Sequence, residues 1–231
     1  MLVFNVQLCW TFRGGSAVFL NFVVTMQKSV DDLAPLEVKF HSLDFRNVLH
    51  WKHPQKAVKN LTYFVQYKIY GDKEWTNSEH CQGIRLLECD LSQATSDPRE
   101  WYYARVRSFS SEEFSSWVLS HRFYPQWETS FSPPQIKVTM TGRIISVQIR
   151  PPRTPLRGQK GSRIRVTKLQ KLKFRIYLMH NDEVYETDSC SKELVIEGLR
   201  PKTTYCLQAM CVTPRSGRKS LRSSSTCIST H

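Results

Sequence analysis

Apolar and polar residues alternate with a period of two along most of the chain beyond residue 36, as in strands with one buried face. Leu36-Glu-Val-Lys-Phe40 predicts a first strand and Asn47-Val-Leu-His-Trp51 a second. Residues 62–70, rich in β-branched and aromatic side chains, predict a third that ends in a Gly71-Asp-Lys turn. Trp75 opens a short fourth, and residues 84–91, 102–108 and 117–123 supply the fifth to the seventh. Residues 124–134 hold three prolines in eleven positions and read as a linker. The pattern then repeats over 135–140, 144–150, 172–179, 183–186, 193–197, 204–212 and 221–228, with a long Pro/Gly loop expected over 151–161. No long amphipathic helix is evident.

Two sets of seven strands in 231 residues predict an all-β chain of two tandem fibronectin type III-like β-sandwiches of about 100 residues each. The stretch Gly198-Leu-Arg-Pro-Lys-Thr-Thr-Tyr205 supports this. It has the form of a tyrosine corner, in which Tyr205 packs inward and its hydroxyl bonds the backbone of the preceding turn. Tyr103 occupies the matching place in the first set. The expected division is a signal-like or non-native segment at 1–30, one sandwich at 31–123, the linker at 124–134 and a second sandwich at 135–231. Residues 16–26 form an apolar run of signal-sequence length, too short to span a membrane, and no other segment reaches 18 consecutive apolar residues.

Charge and cysteines narrow the setting. The formal net charge is +13, and residues 150–175 hold ten Lys and Arg with no Asp or Glu. Such a run is a solvated basic face, or a site for an acidic partner or sulfated glycan. Nucleic acid fits poorly, because aromatic interleaving is sparse there. Seven cysteines without a CxxC pair argue against a metal site and for an oxidised, secreted, extracellular protein. Removal of the leader takes Cys9 with it and leaves six. Cys81 and Cys89 flank a turn and can bridge. Cys206 and Cys211 lie on opposite faces of one strand, so Cys206 is expected to pair with Cys227 on the adjacent antiparallel strand. Cys190 and Cys211 are left as a geometrically possible pair or as two free thiols. Asn60-Leu-Thr62 is a glycosylation sequon. No GxSxG, P-loop, GxGxxG or HExxH occurs, so neither enzyme chemistry nor a cofactor is expected, and recognition is the default role.

Asn47-Val-Leu-His-Trp51, Phe64-Val-Gln-Tyr-Lys-Ile-Tyr-Gly71, Ala94-Thr-Ser-Asp97, Trp101-Tyr-Tyr-Ala-Arg-Val-Arg107 and Arg122-Phe-Tyr-Pro125 resemble class II cytokine receptors. The resemblance covers residues 36–231 and points to the interleukin-22 and interleukin-20 branch, which holds a secreted, anchorless member as well as membrane receptors. It implies a helical partner of the interleukin-10 family, foremost interleukin-22, bound at the elbow between the domains by loops of both. Two roles follow from it: a soluble decoy without a membrane anchor, or the ligand-binding ectodomain of a membrane receptor. Tyr70 is the expected anchor, with Gly71 allowing the turn and Asp72 and Lys73 as rim charges. Thr95, Ser96 and Asp97, then Glu112, Glu113 and Phe114, are expected on neighbouring loops, with folding of Phe114 back beside Trp117 as the alternative. In the second sandwich the candidates run from Gly158 to Arg163 and over Thr213, Pro214, Arg215 and Ser216. Trp51, Tyr67, Tyr103, Trp117 and Tyr205 are read as structural.

Overall fold

The computed structural model describes residues 3–6, 22–25, 33–55, 60–110 and 113–231. At the start, β1 (Val3–Val6) and β2 (Phe22–Thr25) pair as an antiparallel hairpin. Most of the leader-like segment, including Cys9, lies outside the described residues.

The first sandwich packs two sheets. One has β3 (Leu36–Leu43), β4 (Arg46–Lys52) and β7 (Glu88–Asp90) in that order. The other runs β10 (Val118–Leu119), β8 (Tyr102–Ser110), β5 (Thr62–Ile69), β6 (Thr76–Ile84), with β9 (Glu113–Phe114) folded back on β8. Strict alternation along β8 sends Tyr102, Ala104, Val106 and Ser108 inward. There Ala104 and Val106 meet Leu49, Trp51, Tyr63 and Val65. A bridge from Cys81 on β6 to Cys89 on β7 ties one sheet to the other.

Tyr102 is the corner tyrosine of this sandwich: it is buried and its hydroxyl donates to the Asp97 carbonyl at 3.1 Å. The expectation of Tyr103 is off by one residue. Burial decides between two neighbouring tyrosines, and the alternation that buries Ala104 also buries Tyr102 and turns Tyr103 to the outer face.

The second sandwich follows a short helix, α1 (Pro125–Glu128), inside the segment expected as a plain linker. Its sheets are β11 (Gln135–Thr141), β12 (Ile144–Arg150), β17 (Glu193–Ile196), and β16 (Glu183–Ser189), β15 (Lys173–His180), β18 (Thr204–Val212), β19 (Thr226–Ser229). Tyr205 is buried, and its hydroxyl accepts the Arg200 N–H at 3.0 Å. Cys206 and Cys227 face each other across β18 and β19 and are bonded. The expected loop at 151–161 is instead part of a hairpin, β13 (Arg153–Arg157) with β14 (Arg163–Arg165), closed by a 3-10 turn at Val166–Lys168. Thr154, Leu156 and Val166 bury themselves, which is what holds this Pro/Gly-rich stretch in order.

Cys190 and Cys211 are free thiols, the second of the two expected arrangements, and the bridge between them does not form. Ser189 and Cys211 both register with Phe174, from opposite sides of β15. Two strand spacings, about 10 Å, therefore separate the ends that a bridge would join.

The two sandwiches meet across an elbow that extends the second core. Phe45, in the β3–β4 turn, is buried among the second sandwich's apolar residues, beside Phe131 at 6.4 Å between ring centroids. Backbone bonds join Asp44 N to Ser130 O and Ser130 N to Ser42 O, both at 2.9 Å.

Candidate binding surface at the elbow

The β5–β6 turn carries Tyr70 out of the sheet. Its N–H bonds the Trp101 carbonyl at 2.7 Å, Asp72 N–H reaches back to Ile69, and the Lys68 ammonium donates to the Asp72 carbonyl. Gly71 takes φ +97°, a conformation that a side chain strains. The result is a braced turn that presents Tyr70 at 60% exposure, with Gly71, Asp72 and Lys73 exposed around it.

Tyr70 is one end of a layer of rings and guanidinium. It lies 6.2 Å from Tyr103 and 5.9 Å from the Arg122 guanidinium. Arg122 sits 3.9 Å over Trp101, and Trp101 stacks on Tyr124 at 4.4 Å. Each cation–π contact contributes about 0.5–1 kcal/mol at exposed sites. Their combined effect is to fix the Tyr70 surroundings before any partner arrives, which lowers the entropic cost of binding.

From Tyr124 the surface continues along α1 to the second sandwich. Gln126 N–H bonds the Pro98 carbonyl at 3.1 Å, joining α1 to the loop after β7. Asp97 in that loop grips Arg99 through its backbone N–H and guanidinium, and these bonds hold the Asp97 carboxyl below the usual carboxylate range. Trp127 on α1 is 55% exposed. On the other flank, Arg218 donates to the carbonyls of Thr129 at 2.6 Å and Gln126 at 3.0 Å, fixing the loop that carries exposed Pro214, Arg215 and Ser216. The expected loops around Asp97 and Ser216 are thus tied to α1 by hydrogen bonds, and the Tyr70 turn joins them through Trp101 and its stack on Tyr124.

Two expected residues turn inward. Thr95 is 1% exposed: its hydroxyl donates to the Leu91 carbonyl and accepts the Asn47 amide at 2.7 Å. Asn47 in turn accepts from Ser42, whose hydroxyl oxygen also lies 2.8 Å from that of Thr129, so Thr95 begins a polar chain that ends at the elbow. Thr213 is equally buried, and its hydroxyl takes the Arg218 N–H inside the loop. Neither side chain reaches a partner, because a threonine is small enough to be used as an internal staple. Ser96 is exposed beside Thr95.

Glu113 and Phe114 lie at the other end of β8. Ile69 registers with Tyr102, whereas Glu113 registers with Ser110, eight residues further and roughly 25 Å away. Phe114 ends a second ladder on the outer face: Trp75, Arg105, Trp117, Arg107 and Phe114 alternate at 3.8–4.5 Å. Trp117 is accordingly structural, and Phe114 folds back against this layer, with Arg107 between the two rings. Glu112 lies outside the described residues. Gly158 and Arg163 belong to the β13–β14 hairpin, whose Arg163 lines one groove against β12 and another beneath β3 and β4, away from the Tyr70 turn. Asn60 is exposed in the turn before β5.

Sequence reasoning missed Phe45, Arg122, Trp127 and Arg218. A single arginine or phenylalanine in a turn has no periodic context, so only its spatial neighbours mark it.

The family model described as tissue factor matches residues 12–117, and that described as interferon-alpha/beta receptor, fibronectin type III, matches residues 129–231. Interleukin-22 receptor subunit alpha-2 of Mus musculus is 34% identical over 215 residues, covering 91% of this chain and 94% of that one. The Homo sapiens protein of the same name is 32% identical, with the same shares covered. Interleukin-20 receptor subunit alpha of Homo sapiens is 33% identical over 85% of this chain, which spans 36% of that longer protein. Among solved structures, the selenomethionine-substituted chicken interferon gamma receptor alpha chain superimposes with TM-score 0.69 at 19% identity, over 85% of this chain and 98% of that one.

Proposed function

The chain belongs to the class II cytokine receptor family, and from that premise we propose that it captures a helical cytokine of the interleukin-10 family, foremost interleukin-22, at its elbow. The observation that carries this reading is the continuity of the Tyr70 turn, the Asp97 loop, α1 and the Pro214–Ser216 tip. An elongated, rigid surface with a large aromatic anchor and charges at the rim suits a helix bundle. Tyr70 has that chemistry: an exposed ring, backed by Tyr103 and Arg122, that loses little entropy on binding.

The finer reading is a secreted decoy that occupies the cytokine surface needed by the signalling receptor. The likeness to interleukin-22 receptor subunit alpha-2 over nearly the whole of both chains supports it. Among the described residues, no helix is long and apolar enough to cross a membrane. The alternative is the ligand-binding part of a membrane receptor of the same branch.

The test is calorimetry of the full chain with interleukin-22, then competition against the signalling receptor's ectodomain. Tyr70→Ala is expected to weaken binding by about 2 kcal/mol or more. Binding that leaves the signalling receptor free to engage the same cytokine molecule rejects the decoy role. Unchanged affinity of the Tyr70 variant removes the elbow from the site.

A further inference from the structure

The hairpin β13–β14 sets arginine against arginine. Arg153 registers with Arg165, and Arg157 with Arg163. Like charges directly opposite one another destabilise a strand pair, yet all four side chains are exposed on this short ladder. Among the described residues, salt bridges form elsewhere and engage none of these arginines, nor Arg150 or Lys192. Arg157 donates to the Gly161 carbonyl, which braces the turn without neutralising the charge.

These cations converge on one place. A cleft of about 790 Å3 is walled by Arg150, Arg153, Arg163, Arg165 and Lys192, against two carboxylates, Asp44 and Glu193. A second groove, of about 880 Å3, shares Arg153, Arg163 and Asp44 with it and adds Arg46, His41 and His50. That second groove is close to balanced in charge: Arg46 is paired with Asp90, and Asp44 and Glu128 stand against Arg153 and Arg163. The basic furrow is therefore the first cleft, continued by the exposed arginines of the β13–β14 hairpin, with Arg153 and Arg163 where it meets the second groove.

We propose that this furrow binds a linear sulfated polysaccharide. Its length suits a chain of anions better than a single phosphate. Guanidinium groups fork onto sulfate oxygens as they do onto carboxylate and phosphate. Stacking platforms for bases are missing: the first cleft has no aromatic lining, and Phe40 of the second is already stacked on Phe123 at 4.3 Å. A bound polyanion also relieves the repulsion built into the hairpin. The furrow lies between the β13–β14 hairpin and the β11–β12–β17 sheet of the second sandwich rather than on the Tyr70 layer, so the site stands whether or not the cytokine reading does.

The experiment measures binding of the full chain to a heparin oligosaccharide across a salt series. Arg153→Ser with Arg163→Ser is compared with Arg85→Ser and Arg143→Ser, which remove the same charge from exposed positions outside the furrow. The furrow pair is expected to lose at least tenfold in affinity at physiological salt and to flatten the log–log salt slope by about 1.5. The control pair is expected to change affinity less than twofold. Far-ultraviolet circular dichroism and urea midpoints confirm that both variants fold. Equal losses in the two pairs overturn the proposal, because net charge alone then explains binding. So does tighter binding to a single-stranded oligonucleotide of equal charge, which assigns the furrow to nucleic acid instead.

Discussion

The Arg218 guanidinium reaches out of the second sandwich to the Thr129 carbonyl at 2.6 Å and the Gln126 carbonyl at 3.0 Å. It also lies 5.5 Å from the centre of the Phe131 ring. Burial here pushes its pKa below the ordinary arginine value, with Glu128 opposing. Hydrogen bonds from a charged donor are the stronger class, about 1.5–3 kcal/mol each when buried. Arg218→Ala is therefore expected to cost about 2 kcal/mol of stability, read from urea midpoints. Arg218→Lys is expected to recover less than half of that, since an ammonium cannot fork to two carbonyls in fixed geometry. A fully restored lysine variant contradicts the bidentate role. Loss of cytokine affinity beyond the Arg218→Lys level links elbow rigidity to binding.

Two adjacent tyrosines show how far alternation carries. Tyr102 and Tyr103 both sit where a corner tyrosine is plausible, and only burial separates them. Tyr102 is 2% exposed, and its phenol is pushed up to about 12, chiefly by burial. Tyr102→Phe leaves the ring in place but removes the bond to the Asp97 carbonyl. A loss of about 1 kcal/mol is expected, with the Asp97 loop exchanging its amides faster. Tyr103→Phe, on the outer face, is expected to leave stability within about 0.5 kcal/mol. Equal effects in the two variants reject Tyr102 as the corner residue.

Much of the fold is legible because strands with one wet face impose a period of two. The Cys206–Cys227 bridge was readable for the same reason, since facing residues of adjacent strands can meet, whereas Cys81–Cys89 was readable from its short separation across a turn. The limits have physical causes. The β13–β14 hairpin is rich in Pro, Gly and Arg, and it is held by Thr154, Leu156 and Val166, three buried residues too far apart to show a period. The edge strands of both sandwiches substitute side chains for backbone. Ser115 Oγ accepts from Ser108 N, and Ser120 Oγ from Ala104 N; Ser220 and Ser223 do the same for Cys211 and Ala209. Those serines read as loop and act as ladder. At the candidate site, the loop tips were legible and the inward residues on them, Thr95 and Thr213, were not. Loop sequence gives position along the chain but not the direction of a side chain.

The two free cysteines among the described residues should behave oppositely. Cys190 is exposed just after β16, whereas Cys211 is buried in the second core. Burial foremost, then the nearby Asp44 charge, pushes the Cys211 thiol up to about 12, with Ser220 pulling back. Thiolate is the reactive form, so at pH 8 Cys211 is protected by both access and ionisation. Iodoacetamide at pH 8, followed by peptide mass mapping, is expected to label Cys190 within minutes and Cys211 only after urea unfolds the chain. Labelling of both at one rate in the native protein contradicts this core.

Asp44 makes the stability of the elbow depend on pH in an unusual direction. Its carboxylate accepts the Ser132 N–H and hydroxyl, but burial outweighs these bonds and raises its pKa above the ordinary aspartate value. A folded-state pKa above the unfolded one means that the folded chain holds the proton more tightly. The penalty is absent below the unfolded value, near 3.9. It grows as pH rises and is complete above the folded value. Asp97, Asp90 and Asp188 have lowered values and act in the opposite sense: their contribution is present above the unfolded value and is lost as pH falls. Replacing Asp44 isolates its share from theirs. Asp44→Asn keeps an acceptor for the Ser132 N–H and suits the left-handed backbone at φ +53°. The variant is expected to melt above the parent at pH 7, and the gap is expected to shrink at pH 3, where the parent's carboxyl is neutral. Differential scanning calorimetry at the two pH values reads both numbers. A gap that widens on acidification shows instead that the ionised Asp44 carboxylate stabilises the elbow, and that its bonds to Ser132 outweigh the cost of burying it.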